Sequence, residues 1–153
     1  MIVHFPILRS SNTMIGMVNI VFSCELADGL GQAIDFTQID WVRTAFRDHL
    51  SIDCYPGTFN LLARTDDAKL NWALVREWKG ILISSPEPGW CASRAWHARI
   101  ERCIGAAIIL PEVDSYPNDK IELIAPVNVR SALGLKAGDQ VKIEVCDGHW
   151  PVS

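Results

Sequence analysis

The sequence predicts a mainly β protein, a small mixed barrel of about seven short strands with one main α-helix and one short helical turn. Three observations carry this reading. Short β-branched and apolar runs recur between Gly-, Pro- and Asn-containing turns. One segment alone, residues 37–50, has sustained helical spacing. No strand–helix–strand pattern repeats, which argues against Rossmann and TIM architectures. At 153 residues the chain reads as a single domain, 1–153, large enough to bury a core without disulfide or metal staples.

Taken in order, residues 1–13 have no convincing period and read as an edge strand, an arm or a mobile start. From Met14, IGMVNIVFS is a strand that runs into ELADGLGQA, where Gly29 and Gly31 break it into a loop. TQIDWVRTAFRDHL follows, with Ile39, Val42, Phe46 and Leu50 on one helical face and Thr37 placed as N-cap. The segment NWALVREWKGILI reads either as helix then strand or as two short strands, and SSPEPG is a loop. CASRAWHARI and CIGAAIILP are strands joined near Glu101-Arg102, the second ended by Pro111. IELIA is a strand stopped by Pro126, NVRSAL a helical turn closed by Gly134, and LKAGDQVKIEV a turn at Gly138-Asp139 entering a final strand with Val141, Ile143 and Val145 on one face.

Composition narrows the function classes. A hydrophobic fraction of 49% and a charged fraction of 21% are those of a folded soluble chain. No apolar run approaches a membrane span, and the N-terminus has no signal-peptide pattern, so a cytoplasmic protein without membrane partners is expected. Net charge is −4 with a pI near 5.5. The densest basic stretch, Arg94 to Arg102, is broken by Glu101, which weighs against nucleic acid as a partner. Five cysteines without a C-x-x-C pair argue against a disulfide framework, and Cys91, His97 and Cys103 lack zinc-knuckle spacing. The four histidines have no Ser or Cys with Asp in a triad-like pattern, so acyl transfer has no support.

Three polar stretches can carry chemistry. In CYPGTFN, Pro56-Gly57 forms a tight turn, and an extended chain beyond it puts Thr58 and Asn60 on one face with Phe59 and Leu61 on the other. Two side-chain oxygens then point the same way at the mouth of a strand, which suits a hard cation or a phosphate and equally an ordinary turn-to-strand junction. DGLGQA lacks the third glycine of a dinucleotide fingerprint and any Gly-Lys-Ser/Thr, leaving either a loop whose backbone N–H groups can approach an anion or a plain turn. Glu122 interrupts an apolar strand, as a ligand contact or as a solvated edge charge, and Arg130 on the short helix has a surface ion pair as its ordinary role.

Together GLGQA, YPGTFN, GAAIILP, SYPNDKIELIAP and VNVR followed by LGLKAGDQVKI resemble, in order and spacing over about residues 16–146, the CTP-dependent riboflavin kinases typical of archaea. That resemblance implies a six-stranded cradle-loop, RIFT-related barrel. It implies an enzyme that phosphorylates riboflavin to FMN with CTP as donor and Mg2+ as cofactor. Carried over residue by residue, it makes Thr58 and Asn60 metal ligands, and Gly29, Leu30, Gly31 and Gln32 with Val127, Asn128, Val129 and Arg130 nucleotide contacts. Ser115 and Glu122 become flavin contacts, and no general base is assigned.

The chain departs from the family pattern at Gln32 and Ala33, where an acid and a glycine are usual, and from Asp66 to Arg102, a stretch holding Trp72, Trp78, Trp90 and Trp96. The alternatives are a same-fold kinase of another small alcohol, a non-catalytic nucleotide- or flavin-binding barrel, and a DNA-binding cradle-loop regulator with a hairpin like LGLKAGDQVKI. Residues 1–13 are too few for a helix-turn-helix module.

Overall fold

The computed structural model describes residues 2–4, 18–28 and 33–148. The chain order is β1 (Ile2–His4), β2 (Asn19–Leu26), α1 (Ala33–Thr37), α2 (Asp40–Leu50), β3 (Phe59–Leu62), α3 (Asp66–Glu77), β4 (Ile81–Ile83), β5 (Ser93–Ile100), β6 (Ile104–Pro111), β7 (Lys120–Ile124), α4 (Val129–Leu133) and β8 (Gln140–Cys146). All strand pairs are antiparallel, and β2, β3, β7, β6, β5 and β8 close into a six-stranded ring. The mainly β barrel expected from sequence is therefore what forms. Closure leaves no open edge within the ring.

β2 and β5 are the long staves. One edge of β2 pairs with β8 from Asn19 to Glu25, while β1 pairs with it at Asn19–Val21 and β3 at Glu25–Leu26. β5 likewise pairs with β6 from Ser93 to Ile100 and shares its other edge between β4 and β8. Within residues 1–13 the described part, β1, is an edge strand.

Strand alternation sorts the side chains into two clusters. Phe59 and Leu61 of β3, Ile121 and Leu123 of β7, Ile108 of β6, and Val141, Ile143 and Val145 of β8 fill the barrel interior. Ala107 and Ile109 of β6 and Ile124 of β7 face outward and pack under Val42, Phe46 and Leu50, the i, i+4, i+8 stripe of α2.

Two local readings are corrected. Besides α2 there is a second helix of similar length, α3, capped by Thr65, whose hydroxyl accepts from Ala68 N at 3.0 Å, worth about 1 kcal/mol. Its Trp72 meets Trp96 edge-on at 5.8 Å and seals one end of the interior. Thr37 is not the N-cap of α2. It ends α1, the chain breaks at Gln38-Ile39, and Ile39 sits at the cap position with no side-chain hydrogen bond. The β5–β6 hairpin turns through three residues, Glu101 and Arg102 with positive φ (50° and 58°) and Cys103, whose N–H donates to the Ile100 carbonyl at 2.9 Å. α4 is closed by Gly134 at φ 64°, as its sequence indicates, and its other end is capped by Asn128, whose Oδ1 accepts from Ser131 N at 3.2 Å.

His97, Cys91 and Cys103 do not converge. His97 is buried with Nε2 3.0 Å from the Leu50 carbonyl oxygen, whereas both thiols are exposed. No helix among the described residues is long and apolar enough to cross a membrane.

Candidate functional site

A cavity of about 670 Å³ opens on the outer face of the β3–β7–β6 wall, within the ~300–1,000 Å³ usual for small-molecule sites. Its floor follows from antiparallel register. Asn60 stands opposite Glu122, and Glu122 opposite Ile109, so one row of side chains crosses three strands. Leu62 and Lys120 form the next row. The neighbours of these residues along β3 and β7, namely Phe59, Leu61, Ile121 and Leu123, point into the barrel, as the period-2 reading of PGTFN requires.

The Thr58–Asn60 pair is held in place. Thr58 Oγ1 and Asn60 Oδ1 are 3.2 Å apart, and Asn60 Nδ2 donates to the Thr58 carbonyl at 3.1 Å. Upstream, the Gly57 N–H donates to Thr37 Oγ1 at 2.8 Å, and the same hydroxyl donates to the Ile34 carbonyl at 3.0 Å. Thr37 is fully buried, so this one hydroxyl fastens the Pro-Gly turn to α1. Gly57 itself sits at φ 100°, a conformation that a Cβ disfavours. Tyr55 N donates to the Ala125 carbonyl at 2.8 Å, tying the turn to the segment after β7.

Two cations line the cavity among the described residues, Lys120 and Arg130, and two carboxylates, Asp28 and Glu122. Lys120 Nζ lies 2.7 Å from Glu122 Oε1 and 5.4 Å from the centre of the Tyr116 ring. Burial, followed by the charge of Glu122, pushes the Tyr116 phenol well above its usual range. Arg130 Nη1 is 3.5 Å from Asp28 Oδ1, a loose and largely exposed pair. Asp28 immediately precedes the glycine loop, so this pair brings the loop's flank to α4. The Asn60 carbonyl accepts from Ala27 N at 2.9 Å, binding the same flank to the floor.

Most of the side chains singled out in the sequence thus share this cavity. Thr58, Asn60, Glu122, Val127, Asn128, Val129 and Arg130 all line it. Within the 127–130 segment, Val129 is buried in the barrel interior and the Asn128 side chain caps α4, which leaves the exposed Val127 side chain, backbone and the Arg130 guanidinium to meet a ligand. Ser115 is exposed in the β6–β7 turn and is not part of the lining. Gly29, Leu30, Gly31 and Gln32 lie outside the described residues, but Asp28 and Ala33 on either side belong to the cavity wall.

Sequence reasoning missed Thr37, Tyr55 and Lys120 as cavity residues, whereas Trp90, one of four tryptophans considered for a pocket or for the core, does line the cavity. Lys120 carried the one usable signal, since it lies two positions from Glu122 on a strand and so on the same face.

A divalent cation fits the Thr58–Asn60 pair. The pair's two neutral side-chain oxygens already lie together, joined by a hydrogen bond from Thr58 Oγ1 to Asn60 Oδ1 at 3.2 Å, and oxygen is the ligand type a hard cation takes. No group of three or more His, Cys, Asp or Glu side chains that could hold a metal occurs among the described residues. A neutral-oxygen site of this kind therefore needs its remaining ligands from water or from a bound phosphate.

Fold and site define a closed antiparallel barrel with a small-molecule cavity on its outer wall. Residues 26–145 match the CTP-dependent riboflavin kinase domain, also described as domain of unknown function DUF120, and the chain belongs to that family. It is similar to the riboflavin kinase of Archaeoglobus fulgidus (36% identity over 79% of this chain and 52% of that protein). It is also similar to the riboflavin kinases of Pyrobaculum islandicum (32%, over 91% and 66%) and Sulfurisphaera tokodaii (32%, over 76% and 88%). The chain spans about half to two thirds of the length of the first two.

Proposed function

We propose that this protein is a riboflavin kinase that uses CTP, transferring the γ-phosphate to the 5′-hydroxyl of the ribityl chain to give FMN and CDP. The observation that carries the reading is the convergence of Thr58, Asn60, Glu122 and the 127–130 segment on one cavity in a chain of this family. Phosphoryl transfer through a loose transition state needs in-line placement and charge neutralisation more than covalent help, and the cavity is equipped for both.

Thr58 and Asn60 would hold a magnesium ion, which when bound supplies positive charge against the CTP phosphates. Arg130 adds a cation beside the glycine loop, and the backbone of 127–130 brackets the nucleotide. Glu122, fixed by Lys120, accepts a hydrogen bond from the flavin end of the acceptor. The reaction forms one bond from the acceptor oxygen to phosphorus, breaks the bond from phosphorus to the CDP oxygen, and releases the hydroxyl proton.

The test is a turnover assay with riboflavin and magnesium, run with CTP and with ATP and read as FMN by chromatography. FMN formed with CTP in preference to ATP is expected. No FMN with either nucleotide would overturn the reading and move the search to a different acceptor alcohol.

A further inference from the structure

Of the four tryptophans in the divergent stretch 66–102, three are accounted for by packing: Trp72 and Trp96 are fully buried, and Trp78 packs against the barrel core. Trp90 differs, being 44% exposed and part of the cavity wall. It is carried by the loop 84–92 between β4 and β5, which is shaped by Pro86, Pro88 and Gly89 at φ 93° and by Ser85 Oγ accepting from Glu87 N at 2.9 Å. The far end of the loop is pinned where the Ala92 carbonyl accepts from Glu112 N at 2.9 Å.

The indole is also held in place. Phe36 lies 5.6 Å away, tilted by 43°, and Trp41 lies 6.0 Å away at 67°. An exposed tryptophan braced by two other rings keeps its orientation without a ligand, so stacking on it costs little side-chain entropy. Behind these rings a separate void of about 10 Å³ is lined by Phe36, Trp41 and Cys91. Trp41 Nε1 is buried with no hydrogen-bond partner.

We infer that Trp90 is the platform on which the planar heteroaromatic ring of the acceptor stacks, making the 84–92 loop a determinant of acceptor specificity. The inference rests on the kinase reading for the identity of that ring, riboflavin's isoalloxazine. Glu122, held by Lys120, then accepts a hydrogen bond from the edge of the same ring, and Trp90 selects for its flat face.

The test compares Trp90→Ala and Trp90→Phe with the parent protein in two readouts. In direct titration with riboflavin alone, Trp90→Ala should weaken binding roughly tenfold and Trp90→Phe should restore much of it, while CTP affinity stays within about twofold. In turnover, the riboflavin KM should rise with kcat nearly unchanged. Unaltered riboflavin binding by Trp90→Ala, or an equal loss for riboflavin and CTP, would overturn the inference, as would a parent protein that binds no riboflavin. A parent protein that binds riboflavin through Trp90 but forms no FMN would support the platform and refute the kinase reading.

Discussion

Asn60 of β3 and Glu122 of β7 are direct cross-strand partners, so a candidate cation ligand and a candidate acceptor contact stand side by side on one sheet face. Opposed residues of an antiparallel pair have Cβ atoms only ~4.5–5.5 Å apart, close enough for one bound molecule to touch both.

If Thr58 and Asn60 are cation ligands, Thr58→Val and Asn60→Leu should each lower turnover by at least about a hundredfold, or ~2.7 kcal/mol of transition-state stabilisation. Both side chains are only half-buried, so thermal unfolding should shift by a few degrees at most. Undiminished FMN formation in either variant would remove the pair from the site.

Glu122→Ala should raise the riboflavin KM about tenfold, as loss of a charged hydrogen bond does, and leave the CTP KM nearly unchanged. Because Lys120 is 2.7 Å away, Lys120→Met should have a partial effect that disappears when Glu122 is already alanine. Additive losses in that cycle would mean that the two residues act separately.

Thr37→Val tests the fastening of the Pro-Gly turn. It strips the Gly57 N–H of its buried acceptor and should cost about 1–3 kcal/mol in urea unfolding. Turnover should fall as well, through displacement of Thr58. A variant of parental stability and activity would show that the turn holds itself.

The cysteines divide by environment. Burial pushes the Cys24 thiol up to about 12 and those of Cys54 and Cys146 to about 11, whereas Cys91 and Cys103 are exposed. At pH 8 a thiol reagent should label Cys91 and Cys103 in the folded protein and the other three only after unfolding. Riboflavin should slow labelling of Cys91, which lines the cavity.

The same shifts set a pH dependence of stability. The folded thiols keep their protons to higher pH than the unfolded ones, which ionise near 9.0. Their stabilising contribution is therefore complete below about pH 9 and is lost as pH rises toward 11–12. The urea midpoint should fall across that window, and less steeply in Cys24→Ala. A flat profile would contradict the burial of these groups.

Much of the fold was legible because short-range rules governed it. The Val141, Ile143 and Val145 alternation, the Gly134 close of α4, and the outward Thr58 and Asn60 follow from spacing alone, whereas Asn128 as the cap of α4 was not read from sequence. α3 was ambiguous because Leu70 and Leu74 lie exposed beside the buried Ala68, Trp72 and Val75, which blurs its apolar stripe. Thr37 was misplaced because its hydroxyl serves a backbone N–H twenty residues away, and no local pattern encodes that. That Trp90 alone of the four tryptophans in 66–102 would line the cavity was not legible, since a loop sequence does not reveal which rings will brace it.

The β3–β7 wall is shared between two compartments. One face of each strand closes the dry barrel interior, and the other carries the polar floor of the cavity. Inserting or deleting a single residue between Thr58 and Leu62 would turn Asn60 inward and Phe59 or Leu61 out, spoiling solubility, folding and ligand capture at once. A covering loop such as 84–92 carries no such register and tolerates a change of length. These two strands do not.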